Sequence, residues 1–69
     1  MKVNRFAKQL IYLREEAGLK QTELAKELGV TKQAISKWEK GLRETDFDML
    51  IKIAEYFNVT TDYLLGLED

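Results

Sequence analysis

Apolar residues recur at three- and four-residue spacings along nearly the whole chain, broken by glycines and polar residues and never by the strict alternation of a strand. From about Asn4, the residues Phe6, Leu10, Leu13 and Ala17 share one helical face, and Gly18 is the residue type that most readily closes a helix in the left-handed conformation. Gln21 to Leu28 repeats the pattern with Leu24, Ala25 and Leu28 and stops at Gly29. Thr31 can cap a third segment by accepting from its free amides; Ile35 and Trp38 point inward there and Gly41 ends it. Thr45 followed by Asp48 resembles a capping box, and Phe47, Leu50, Ile51, Ala54 and Phe57 form the strongest amphipathic pattern in the chain. Asn58 can stop that helix, and a final turn from Thr61 to Leu65 adds Tyr63, Leu64 and Leu65. Five short helices joined by about three to six residues predict one all-α domain over residues 1–69, with Phe6, Phe47 and Phe57 in a single core.

The second and third segments have a more specific geometry. In QTELAKELGVTKQAISKWEKG, residues 21–41, small Ala25 lets two helices cross closely and Gly29 permits a tight turn with positive φ. Leu24, Leu28, Ile35 and Trp38 then lock the crossing from inside, which makes residues 21–40 a helix-turn-helix by mechanism. The outward side of its second helix carries Lys32, Gln33, Ser36, Lys37 and Lys40, preceded by Thr31. Gln33 can pair bidentately with adenine, Lys32 and Lys37 can donate to guanine O6 and N7 or to phosphate, and short Ser36 permits close approach. An ordinary solvated face would explain the polarity of these residues but not the spacing of the whole helix pair. Trp38 could stack on a base, yet its register with Ile35 assigns it to the core.

Charge sharpens this picture. The chain of 69 residues has a net charge of −1, but residues 1–19 balance at +2, residues 20–43 at +3 and residues 44–69 at −6. A basic region around the polar helix face and an acidic far end would orient the domain toward a polyanion. Composition removes other classes. There is no Cys and no His, so disulfides, thiol chemistry, the usual zinc ligands and the commonest general base are missing. Ser36 and the threonines have no evident base beside them, and no catalytic residue, cofactor or metal is expected. The start MKVNRFAKQL has no apolar leader core and no run approaches a membrane span, so the chain reads as cytoplasmic.

The run LREEAGLKQTELAKELGVTKQAISKWEKG, with LLGL near the end, resembles the Cro/phage-repressor type of helix-turn-helix proteins, the XRE family. The resemblance extends from about Leu10 to Leu65 and implies a five-helix, lambda-repressor-like domain whose third helix enters the DNA major groove. It also implies a transcription regulator, a repressor acting as a homodimer on an inverted-repeat operator. By this similarity Thr31, Lys32, Gln33, Ser36 and Lys37 face the bases, and Gln21 contacts a phosphate, a role extended here to Lys40 and Arg43. Arg14 and Glu39 occupy positions that in the family often host an ion pair between helix one and the end of helix three. Lys20 stands at a cap position where Ser, Thr or Asn is frequent, Thr45 where Pro is common, and Glu44 where a basic residue is frequent.

Thr61, Leu64, Leu65 and Leu67 carry apolar atoms at the C-terminus and are expected to form a dimer contact. The 69 residues leave no segment for an effector domain, so regulation is expected from concentration, operator competition or a separate regulatory protein if the chain is complete, and from a regulatory half following Asp69 if it is a fragment. The alternative from another class is a protein-interaction module, antitoxin-like or adaptor, on the same fold; it accounts for the helices but not for Gln33 and the lysines.

Overall fold

A computed structural model describes residues 5–68, which form α1 (Arg5–Glu16), α2 (Gln21–Leu28), α3 (Lys32–Glu39), α4 (Phe47–Phe57) and α5 (Thr61–Leu64). The expected helix start near Asn4 lies outside the described residues. Among those described there is no strand.

Each helix contributes at least one fully enclosed aliphatic side chain to the core: Leu10 from α1, Leu24 and Leu28 from α2, Ile35 from α3, Ile53 from α4 and Leu64 from α5. Trp38 closes the group at 5 % exposure, its ring edge-on to Phe6 with centroids 6.5 Å apart. Helix α3 packs against α2 and α1, while α5 packs against α1 and α4. Helix α3 is thus supported on its inner side and open on the other.

The turn between α2 and α3 depends on one glycine. Gly29 adopts φ 73°, where a Cβ would be strained, and this lets the Val30 N–H donate to the Ala25 carbonyl at 2.9 Å. Asn58 ends α4 in the same way at φ 57°, with the Val59 N–H on the Ala54 carbonyl.

Helix α4 departs from the sequence expectation. Its buried residues are Ile53 and Ala54, with Leu50 and Phe57 packed beside them, so the inward stripe runs 50, 53, 54, 57. Phe47 is 83 % exposed and Ile51 is 48 % exposed. With about 100° per residue, the stripe is rotated by roughly 45° from the expected one of 47, 50, 51, 54 and 57. The reason is partly positional: Phe47 is the first residue of α4 and follows the seven-residue connection 40–46, longer than expected, with only Asp46 capping it. The expected Thr45–Asp48 capping box is absent, because the chain enters the helix one residue later. Asp46 is the N-cap, its Oδ1 accepting from the Met49 N–H at 2.8 Å. Ala17 lies past the end of α1 and is exposed, so it leaves the first apolar stripe.

Candidate nucleic-acid interface

Helix α3 starts at a cap that also shapes its outer surface. Thr31 Oγ1 accepts from the Ala34 N–H at 3.1 Å, which commits an acceptor of the hydroxyl to the helix and leaves its hydrogen free to donate. Lys32, Gln33 and Lys37 are exposed and Ser36 is half-buried between them, on the side opposite Ile35 and Trp38. Lys40 is the C-cap of α3 and is exposed; Arg43 is exposed in the following connection. The cations Lys32, Lys37, Lys40 and Arg43 therefore belong to one helix and its exit loop.

What holds this helix at its angle is a polar cluster beneath it. Arg14 Nε donates to Glu39 Oε2 at 2.6 Å and Arg14 Nη2 donates to Glu39 Oε1 at 3.0 Å, a bidentate pair whose side chains are 14 % and 6 % exposed. Arg14 Nη1 donates to the Leu19 carbonyl at 2.8 Å. The Glu39 hydrogen bond raises the Arg14 pKa above its already high ordinary value, against the opposing effect of burial. One carboxylate at the last residue of α3 is thereby fastened to α1.

Gln21 joins the same cluster. Its Nε2 donates to Glu39 Oε1 at 2.9 Å, so one amide hydrogen of the residue assigned to phosphate contact is already engaged. The second amide hydrogen and the carbonyl oxygen have no partner in that bond, and Gln21 is half-buried at the first position of α2. Lys20 precedes it as N-cap but cannot accept a hydrogen bond; Glu23 instead reaches back to the Lys20 N–H at 2.7 Å. Half of a capping box survives on a lysine.

Residues 10–64 match the family model described as "Helix-turn-helix". The chain belongs to the XRE-type helix-turn-helix family. It is 39% identical over 62 residues to the HTH-type transcriptional regulator ImmR of Bacillus subtilis, covering 90% of this chain and 49% of that protein. It is 41% identical over 64 residues to the HTH-type transcriptional activator BcrR of Enterococcus faecalis, covering 93% of this chain and 31% of the relative. The chain thus spans half or less of the length of these two. Among solved structures, the P22 c2 repressor in complex with synthetic operator 9T superposes with a TM-score of 0.86 at 26% identity, covering 96% of this chain and all of the other. A transcriptional regulator from Listeria innocua superposes at 0.85 with 33% identity, covering 93% of this chain and 60% of that one. The chain has the phage-repressor-like helix-turn-helix fold.

The C-terminal residues expected at a dimer contact divide. Leu64 is fully buried in the core of the same chain, so it is removed from that surface, while Tyr63 is half-buried. Thr61 is half-buried, whereas Leu65 and Leu67 are 43 % and 69 % exposed. Two further tethers had no sequence signal because their partners are backbone atoms far along the chain. Lys52 Nζ donates to the Leu28 carbonyl at 2.9 Å, and Arg5 Nη1 donates to the Gly66 carbonyl at 2.8 Å. Among the described residues no helix is long and apolar enough to cross a membrane, and no acidic group of three or more could hold a metal ion.

Proposed function

We propose that the protein binds double-stranded DNA sequence-specifically as a homodimer on an inverted repeat, placing α3 of each copy in the major groove, and that it represses transcription by occupying that site. The observation that carries this is the exposure of Lys32, Gln33 and Lys37 on a helix whose opposite side is locked by Ile35, Trp38 and Glu39. A rigidly held polar face reads base edges; a loose one does not. In this reading Thr31, Lys32, Gln33, Ser36 and Lys37 approach the bases, and Gln21, Lys40 and Arg43 approach phosphates. Each base contact supplies ~1–3 kcal/mol of discrimination, which a second half-site doubles. A regulator with an operator-bound repressor among its structural neighbours and an activator among its relatives can act in either sense according to where its site lies. Repression is the simpler outcome, since it needs no partner beyond the DNA.

Selection of binding sites from a random DNA pool tests the reading. The expected product is an inverted repeat with half-site centres roughly 34 Å apart. Gln33→Ala should relax preference at one or two base pairs per half-site, while Arg43→Ala should weaken all sequences alike and lower the salt slope by about one. Recovery of no preferred sequence would reject the base-reading face and favour the interaction-module alternative.

A further inference from the structure

We infer that Leu42 reads the C5-methyl group of a thymine in each half-site, as an apolar extension of the α3 surface. This deepens the proposed DNA recognition and rests on that reading. All five helices end alike: a residue with positive φ is followed by an apolar residue whose N–H donates to a carbonyl five positions back. Those apolar residues are Leu19, Val30, Leu42, Val59 and Leu67. In this motif the apolar side chain commonly folds back on the last turn of its helix. Leu19, Val30 and Val59 pack against the core in this way. Leu42 has the same backbone closure but is 73 % exposed, and Leu67 is exposed too.

The register of that closure places Leu42 beside the proposed reading surface. Its N–H donates to the Lys37 carbonyl at 2.9 Å and the Gly41 N–H to the Trp38 carbonyl at 3.1 Å, so the positions it would fold onto are Lys37 and Ser36. Neither is apolar, which leaves Leu42 uncovered, and both belong to the proposed base-facing set. Among the described residues, Leu42 is the one large exposed apolar side chain of α3 and its exit loop, and it lies between the cations Lys40 and Arg43. With those cations drawn to phosphates, the aliphatic group between them is held toward the groove. The major groove offers base-edge donors and acceptors and one apolar group, the thymine methyl. Leucine matches that group and can pair with none of the others. The position is fixed as well, because Glu39 fastens the end of α3 to Arg14 and two backbone bonds close the loop just beyond. Since Leu42 follows the C-terminal end of α3, its thymine belongs at the end of the half-site read by Lys37 and not at the end read by Gln33.

Binding titrations on a site selected from a random DNA pool, with each thymine replaced in turn by deoxyuridine, test this. Deoxyuridine keeps the base pair and lacks only the methyl group. Replacing one thymine per half-site should cost the parent chain about fourfold in affinity, the value of one buried methyl group. That thymine should lie beside a base pair whose preference changes in Lys37→Ala. Leu42→Ala should bind the thymine and deoxyuridine forms equally at that position, while its melting temperature and salt slope stay those of the parent, since the side chain is exposed and uncharged. Leu67→Ala removes the other exposed residue of this kind and should keep the full discrimination. A deoxyuridine penalty undiminished in Leu42→Ala assigns the methyl group to another side chain and overturns the proposal. So does a selected site at which no deoxyuridine replacement matters, even where Leu42→Ala weakens binding, because the contact is then to the sugar-phosphate backbone. Both results leave sequence-specific DNA binding standing. A parent chain that selects no sequence rejects the functional reading itself, and the thymine contact with it.

Discussion

Helices α2 and α3 add to their aliphatic packing a part-buried polar cluster that ties them to α1, whereas α4 and α5 are held mainly by aliphatic packing and helix caps. At the first pair, Glu39 receives three hydrogen bonds from Arg14 and Gln21, so a carboxylate with 6 % exposure has no isolated charge. At the second, Ile53 and Leu64 are enclosed, Asp46 and Thr60 cap the helix starts, and large side chains such as Phe47 and Ile51 are left in solvent. Directional bonds fix an angle; aliphatic packing fixes a separation but tolerates small rotations. The half that presents α3 is the half with the directional bonds.

The largest effect should come from breaking the directional half. Glu39→Ala leaves the Arg14 guanidinium at 14 % exposure without its partner carboxylate and frees the Gln21 amide. Loss of one member of a buried pair costs ~3–5 kcal/mol, whereas an exposed pair would lose less than about 1. Denaturant unfolding should show the larger figure, and a double-mutant cycle with Arg14→Met should show strong coupling. DNA binding should weaken with the selected sequence unchanged, because α3 is mispositioned and its outer face is intact. The raised Arg14 pKa sets the pH behaviour: its stabilisation is complete below the unfolded guanidinium value and is lost only as pH rises through the higher folded one. No change from this group is expected at neutral pH.

The same contrast explains how much could be read from the sequence. In residues 21–40 each constraint is local: Ala25, Ile35 and Trp38 are buried as their size and period require, Thr31 caps α3, and Gly29 takes the positive-φ turn. The polar cluster joins residues 18 and 25 positions apart, so its two contacts have no local periodicity. Family resemblance supplied the Arg14–Glu39 pairing, and nothing supplied the Gln21 bond. In α4, apolar residues at 47, 49, 50, 51, 53 and 54 offer more than one plausible stripe. Which stripe turns inward is decided by α5 and by where the 40–46 connection enters, neither of which is encoded in the helix's own period.

Gly66→Ala probes the junction of α1 and α5 and should cost about 1–3 kcal/mol. Gly66 has φ +77°, strained for any L side chain, and a Cβ there would overlap the Arg5 side chain at Cβ, Cγ and Cδ. Arg5 would have to leave, giving up its bond to the Gly66 carbonyl. Thermal unfolding should show the loss while the sequence preference on DNA stays the same; a shift in preference would mean that α5 also controls the angle of α3.

Thr45→Val should change stability in the opposite direction. Thr45 Oγ1 is buried with no hydrogen-bond partner among the described residues, and it sits just before the Asp46 cap. Replacing an unsatisfied hydroxyl by a methyl of the same shape removes a desolvation penalty, so a gain of about 1 kcal/mol is expected. An unchanged or lowered midpoint in denaturant would show that the hydroxyl finds a partner in solution.

The smallest expected effect tests the polar tether between α4 and α2. Lys52 is the sole cation after Arg43, and its ammonium donates to the carbonyl of Leu28, the last residue of α2. A cation at this end of a helix meets the negative pole of the backbone dipoles and an otherwise unpaired carbonyl, an arrangement worth ~0.3–1 kcal/mol at an exposed site. Lys52→Met keeps most of the aliphatic stem and removes the charge, so the loss should fall in that range and shrink as salt rises toward molar concentration. A difference independent of salt would assign the effect to the stem packing across Gly29, in which case Lys52→Ala should lose more than Lys52→Met. If the salt-sensitive component is the larger, α4 reaches α2 through one charge, and α3 should keep its proposed base preference in Lys52→Met because Glu39 and Arg14 still fix its angle.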